Sequence, residues 1–317
     1  MLGNSKLERR LLSVQEARKF MQTTVILSNL VKAIEEGDYP TIRDIYYTVK
    51  HTLTYKDHTG KTAREETFDD QSESDEVIED IEVMTGFLRE EMGVMFDAKG
   101  RAAGSITIRS KGQTIRLDQM GVGAWAIPPN VDDVEIASVD ADFVLVVEKG
   151  AVFERLNNEE FWRKMRCVLI TGKGQPDRGT RRFVRRLAEE FGLPVYVLTD
   201  ADPYGVYIYS VYRFGSISLA FENYRLAVPK AKYLGVWTSD IYRYRIPKNF
   251  IVKATDQDIK RAHELLKYPW LVKERLLKKE LELFLEKGEK VEIEAFSGFG
   301  FKFLTEKYIP EKLSAIR

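Results

Sequence analysis

Four stretches of the chain are apolar without interruption: the cores of "DFVLVVEKG", "RCVLITGKG", "LPVYVLTDADPYG" and "AKYLGVW". A strand that buries one face alternates apolar and polar residues. A strand covered on both faces has no reason to alternate. These runs therefore predict buried strands of a parallel sheet with helices on either side. "GTRRFVRRLAEEFG", between the second and third, has the spacing of an amphipathic helix. Strands alternating with helices specify an α/β fold with an open parallel sheet.

The first 130 residues follow a different rule. "SVQEARKFMQTTVILSNLVKAIEEGDY" carries Phe20, Thr24, Leu27, Leu30, Val31 and Ile34 at helical spacing and stops at Gly37. Pro40 and Thr41 open a second helix, with Thr41 and Asp44 spaced as a capping box. "TYKDHTGKTAREETFDDQSES" is polar and turn-rich, which predicts an exposed loop. A third helix follows, with Val77, Ile81, Met84 and Leu88 on one face and Gly93 as its stop. Short strands around glycine turns come next, up to Leu117. Three helices and then a β-hairpin is the order of a winged-helix (CAP-like) domain. The Pro-Pro pair in "WAIPPNVDDVE" marks the expected boundary, giving domains at 1–130 and 131–317, the latter ending in a mostly helical extension from Thr255.

Lys plus Arg equals Asp plus Glu, 49 each, so any polyanion site has to be local. The single cysteine, Cys167, lies in a buried strand and excludes an internal disulfide framework. The three histidines lack metal-ligand spacing. No window is long and apolar enough for a signal peptide or a membrane span, so a cytoplasmic protein without a membrane partner is expected. The Lys/Glu-rich composition leans towards a prokaryotic, thermophilic source.

In an open parallel sheet, ligands bind beyond the carboxyl ends of the strands. Two of the buried strands end in acid there: one at Glu148, the other at Asp200 and Asp202, two residues apart on an extended segment. Carboxylates gathered at one edge repel unless a cation lies between them, and an all-oxygen set suits Mg²⁺. The alternative is that each acid caps a turn or helix, for which Asp-Pro-x-Gly is well suited. The Gly172–Lys173–Gly174 turn lets backbone approach a ligand closely. Arg181, Arg182, Arg185 and Arg186 share the outer side of the next helix, with Arg178 just before them; they are either phosphate contacts or a solvated face. No P-loop or dinucleotide fingerprint is present, so any nucleotide is expected on another chain.

The second helix contains adjacent tyrosines in "IRDIYYTVKHTL". Read as helix over 41–53, Ile42, Ile45, Tyr46, Val49 and Leu53 form one apolar stripe. Tyr47 falls off it, near Arg43, Lys50 and His51. Positive charge beside a phenol favours the phenolate, a nucleophile for phosphorus, with the cation holding phosphate oxygens. The alternative is a plain surface tyrosine.

Together "IRDIYY", "VLVVEKGAVFERL", "LITGKGQPDRGTRRF" and "VLTDADPYGVYI", in this order, resemble the family of DNA topoisomerase VI A subunits and meiotic double-strand-break transesterases. The likeness runs from about residue 8 to the C-terminus. It implies a winged-helix domain followed by a Toprim domain. It implies Tyr47 as nucleophile, Arg43 as its active-site arginine, and Glu148, Asp200 and Asp202 as Mg²⁺ ligands. Lys173 would lie on the DNA-binding surface. The implied chemistry is a 5′-phosphotyrosyl link to double-stranded DNA, made by a homodimer in which one protomer's tyrosine works with its partner's metal site. A GHKL-type ATPase B subunit would complete an A2B2 heterotetramer, docking at "KLERRLLSVQEARKF". The readings that remain open are a topoisomerase, a break-forming transesterase without strand passage, a non-catalytic DNA-binding scaffold, and a metal-only nuclease.

Overall fold

The computed structural model describes residue 13 and residues 16–316. Most of the segment expected to dock a partner lies outside them. The chain divides into two compact units, residues 1–97 and 98–317.

The first unit holds α1 (Ala17–Glu36), α2 (Ile42–Val49), the hairpin β1 (Thr52–Lys56) and β2 (Thr62–Glu66), and α3 (Gln71–Thr85). Its core joins Ile26 and Leu30 of α1, Ile45, Tyr46 and Val49 of α2, and Val77, Ile78 and Ile81 of α3, with Phe68, Met92 and Val94. Several expectations are corrected here. The polar stretch after α2 is a hairpin, not a loop; Asp57 accepts backbone N–H bonds from Thr59 and Lys61 and closes its turn. The hairpin therefore comes before the third helix. α1 buries Gln22, Thr23, Ile26, Leu30 and Ala33, leaving Val31 and Ile34 exposed, so its inward face is rotated from the expected one. Gln22 is drawn inward because its amide donates to the Thr67 carbonyl and the Glu73 carboxylate, a polar demand that apolar periodicity does not register. α3 stops at Gly86, in the left-handed region, not at Gly93, and Met84 is exposed.

The second unit opens with β3 (Arg101–Ala103), β4 (Ile106–Ser110), β5 (Gln113–Arg116), β6 (Trp125–Ala126) and β7 (Glu135–Val139). It continues with β8 (Phe143–Val147), α4 (Gly150–Asn158), α5 (Phe161–Met165), β9 (Cys167–Thr171), α6 (Arg178–Glu190), β10 (Val195–Leu198), α7 (Pro203–Phe214) and β11 (Lys232–Gly235). The main sheet has the order β11-β10-β8-β9-β3-β6. β11, β10, β8 and β9 are parallel, as their apolar runs require; β3 and β6 add an antiparallel edge, so the sheet is mixed. Val144, Val146, Val168 and Ile170 pack on one face with Phe183 and Leu187 of α6. Phe143, Leu145, Val147 and Leu169 pack on the other with Phe153 and Leu156 of α4.

Beside the main sheet, β5, β4 and β7 form a three-stranded antiparallel sheet. Contacts therefore divide at 97/98, not at the Pro-Pro pair. Residues 98–130 supply strands that hydrogen-bond to later ones, β3 to β9 and β4 to β7, and a strand belongs with its ladder partner.

Candidate active site

In the first unit the site is built by α2. Thr41 and Asp44 close the expected capping box: the Asp44 N–H donates to Thr41 Oγ1 at 3.1 Å and the Thr41 N–H to Asp44 Oδ2 at 2.9 Å. Ile45, Tyr46 and Val49 face the core. Tyr46 is 8% exposed and Tyr47 is 63% exposed, so the doubled tyrosine divides as the helical wheel predicts. Their rings lie 5.3 Å apart between centroids. The Arg43 guanidinium stands 6.0 Å from the Tyr47 ring centre. Two neighbours differ from expectation. The helix ends at Val49 and Lys50 is already extended, so residues 50–53 leave the wheel. Lys50 Nζ then donates to the Tyr46 hydroxyl at 2.9 Å, and Leu53 sits in β1, 42% exposed.

In the second unit the acids stand where adjacent parallel strands β8 and β10 end. Glu148 follows β8, and its Oε2 accepts the Asp200 backbone N–H at 3.0 Å. Asp200 Oδ1 accepts the Ile293 N–H at 2.8 Å, and Oδ2 meets Lys149 Nζ at 3.1 Å. Asp202 caps α7, accepting the Gly205 N–H at 2.7 Å, with Pro203 in the first turn. The capping alternative is thus realised for Asp202, whose charge still acts on both other acids.

Burial, then the Asp200 and Asp202 charges, push Glu148 up to about 8. Burial likewise pushes Asp200 up to about 6, against the Ile293 N–H and Lys149, which favour its charged form. Asp202 is raised, again chiefly by burial. Desolvated like charges at one edge are the condition a divalent cation relieves, and Glu148 and Asp200 offer the oxygen ligands Mg²⁺ takes while keeping waters. Among the described residues no group of three or more His, Cys, Asp or Glu side chains is gathered into a ready metal cage.

The Gly-Lys-Gly turn is wired to this edge. The Gly174 N–H donates to the Glu148 carbonyl at 2.9 Å, and the Lys173 N–H to Thr171 Oγ1 at 3.1 Å. Lys173 is exposed and takes positive φ, and its side chain passes over Gly150, where an added Cβ would meet Lys173 Cγ at 3.4 Å. The stem of Lys173 therefore packs at the start of α4, the helix that follows Glu148 and Lys149.

The expected phosphate contacts of α6 have other employment. Arg178 pairs with buried Glu222 at 3.4 Å. Arg181 is 2% exposed, bonds Asn223 at 3.2 Å, and is pushed down to about 10 by burial, with Glu222 opposing. Arg182 grips Asp132 at 2.9 Å, and Arg185 holds the Ala227 carbonyl and Glu189. Arg186 donates to the Val131 and Val134 carbonyls at 2.6 and 2.8 Å. The arginine face of α6 clamps residues 131–134 and 222–227 because buried carbonyls and carboxylates there need donors.

Sequence reasoning missed a lysine hub. Lys149 Nζ meets Asp200 at 3.1 Å, Glu292 at 3.1 Å and Glu294 at 3.0 Å. Burial works against its charge, but Asp200, Glu294 and Glu292 outweigh it and push its pKa up. The available signals were Lys149 directly after Glu148 and the alternating "VEIEAF"; neither reveals that a segment over 290 returns to this edge.

A Toprim fold thus carries acids at two adjacent strand ends, and a separate helical unit exposes a tyrosine. Comparison with known families agrees. Residues 143–313 match the Toprim domain shared by topoisomerase 6 A subunits and Spo11, residues 18–94 match a type IIB DNA topoisomerase domain, and residues 99–140 match the all-beta domain of the DNA topoisomerase VI alpha chain. The match to the type IIB domain gives way to the all-beta match at the contact boundary near residue 97.

The A subunit of type 2 DNA topoisomerase 6 from Aeropyrum pernix is 52% identical over 322 residues, covering 99% of this chain and 83% of that protein. The protein of the same name from Sulfurisphaera tokodaii is 49% identical, covering 99% and 84%. That of Pyrococcus horikoshii is 38% identical, covering 98% and 82%. The chain belongs to the family of type IIB DNA topoisomerase A subunits, enzymes that cleave DNA. No helix among the described residues is long and apolar enough to cross a membrane.

Proposed function

We propose that this chain cleaves and rejoins duplex DNA through Tyr47. The Tyr47 oxygen, its proton lost, attacks a backbone phosphorus. A tyrosine-to-5′-phosphate bond forms, the bond to the 3′ oxygen breaks, and that oxygen takes up a proton to leave as a hydroxyl. Religation reverses the step and needs no external energy, since the phosphodiester is exchanged and not hydrolysed. The observation that carries this reading is the asymmetry of the tyrosine pair: Tyr46 is locked in the core and Tyr47 faces solvent beside Arg43. Arg43 holds a non-bridging phosphate oxygen.

Glu148 and Asp200, with Asp202 at the start of α7, would hold Mg²⁺, which when bound offsets charge on phosphate oxygens. Lys173 supplies a phosphate contact from the Gly-Lys-Gly turn. The tyrosine and the acids belong to separate compact units, which suits a site completed across a homodimer, one strand cut per tyrosine. The first unit acts as the winged-helix part, although its hairpin lies between the second and third helices and not after the third. ATP-driven strand passage is assigned to a GHKL-type B subunit in an A2B2 assembly, since the relatives are named as A subunits of a topoisomerase.

The test uses supercoiled DNA, Mg²⁺, ATP and a family B subunit, followed by denaturation and protease digestion. Protein joined to 5′ ends by wild type and by Tyr46→Phe, but not by Tyr47→Phe, is expected. Cut DNA with free 5′ ends from Tyr47→Phe would overturn the reading in favour of a metal-only nuclease. Adducts without relaxation would limit the activity to break formation.

A further inference from the structure

The lysine hub is not used in the reaction proposed above. Lys149 immediately follows Glu148 and immediately precedes α4, and its ammonium meets three carboxylate oxygens at 3.0 to 3.1 Å. One belongs to Asp200, a proposed cation ligand; the other two come from Glu292 and Glu294, on a segment more than ninety residues further on. That segment is anchored to the same carboxylate, because the Ile293 N–H donates to Asp200 Oδ1. Ala201 also pairs with Val291 by a β-bridge. Asp200 is thus gripped on both oxygens, one by a backbone amide and one by a cation. Glu292 and Glu294 are more exposed than Lys149, so they hold the ammonium from the solvent side while Asp200 holds it from the sheet side.

We propose that Lys149 is a positioning residue: a built-in counter-cation that fixes the Asp200 carboxylate and competes with the divalent cation for it. Two carboxylates at a strand-end pair, left alone, would splay apart; an ammonium on one of them holds it in place. The same ammonium adds positive charge beside a cation site and weakens it. Orientation and affinity are therefore opposed at one residue. A purely structural lysine would not behave this way, since its loss would loosen the site and weaken the cation together. Glu292 and Glu294 set the balance by sharing the ammonium and drawing it off Asp200.

This inference rests on the reading of Glu148 and Asp200 as cation ligands, and the experiment separates the two. Mn²⁺ binding to the full chain without DNA is measured by electron paramagnetic resonance. Covalent adduct formation is measured alongside it, at saturating Mg²⁺ with the B subunit present. Wild type should bind Mn²⁺ and Glu148→Gln should not; equal binding by both, or none by either, removes the metal reading and the proposal with it. Given that binding, Lys149→Met should bind Mn²⁺ at least threefold more tightly while forming adduct at least tenfold more slowly. Lys149→Arg, which keeps the charge, should bind Mn²⁺ within twofold of wild type. Unchanged or weaker Mn²⁺ binding by Lys149→Met overturns the proposal even where the metal site stands, as does unchanged adduct formation. Should Lys149→Met not fold, Lys149→Gln gives the same two readings.

Discussion

In the first unit the exposed phenol of Tyr47 stands on a helix of eight residues, and three buried side chains on its other face hold it. In the second unit the acids sit at the ends of fully buried strands, and backbone amides, a lysine and a helix N-terminus hold them. The phenol is placed by local sequence, an apolar stripe and a capping box, and is left in solvent. The acids need a defined spacing against their own repulsion, so the fold spends hydrogen bonds and burial on them. The division predicts that substitutions in the two units fail differently: those at the tyrosine should cost chemistry without stability, and those around the acids should change stability, pH response and chemistry together.

The widest separation is expected at Tyr47. Tyr47→Phe should reduce covalent adduct below detection while leaving the thermal midpoint within error, because an exposed hydroxyl leaves no hole. Tyr46→Phe should keep adduct within a few fold and lose about 1 kcal/mol through the hydroxyl bonded to Lys50. An active Tyr47→Phe would break the comparison at its root.

The second contrast sets α6 against the turn before it. Arg181→Met should destabilise by roughly 3 kcal/mol, since it removes a buried cation acting on buried Glu222. Lys173→Met should leave stability unchanged, lower DNA affinity and flatten its salt dependence by about one unit of slope. Denaturant titration and fluorescence anisotropy read the two quantities. If Arg181→Met folds normally and loses DNA binding, the arginine face is a phosphate surface after all.

A smaller effect follows from the charge trapped at the acids. Folding raises Glu148 to about 8 and Asp200 to about 6, above their unfolded values near 4. Between those limits the folded chain binds more protons than the unfolded one, so stability falls as pH rises. In EDTA the thermal midpoint should drop between about pH 5 and pH 8. Glu148→Gln should flatten the drop, and Mg²⁺ should reduce it. A midpoint that rises through this window would mean the acids are not held in a desolvated cluster.

How much of this was legible from the chain follows the same division. The buried strands, the acids at their ends and the burial of Tyr46 with Tyr47 exposed all follow from local periodicity, which a sequence displays directly. The lysine hub, the clamp made by Arg178, Arg181 and Arg182, and the membership of residues 98–130 in the second unit all depend on partners far along the chain. Arg181 reads as a surface charge because nothing near it announces that Glu222 and Asn223 will be buried against it. Likewise "TYKDHTGKTAREE" reads as a loop because a hairpin exposed on both faces has no apolar alternation to show.

The smallest effect tests whether α2 is placed by its own sequence. Thr41→Ala removes the side chain that accepts the Asp44 N–H, and with it the reciprocal cap. The expected loss is about 1 kcal/mol, confined to the first unit. Because Tyr47 stands less than two turns from the cap, the frayed helix should also slow adduct formation by a few fold, with Mn²⁺ binding untouched in the second unit. Thr41→Ser, which keeps the acceptor, should restore both quantities. Amide exchange over residues 42–49 distinguishes the outcomes: faster exchange in Thr41→Ala with slower adduct formation means the cap holds the nucleophile in place. Unchanged exchange would show that the packing of Ile45, Tyr46 and Val49 alone fixes the helix, and the contrast between a locally placed phenol and a fold-held acid cluster would then narrow to one of burial.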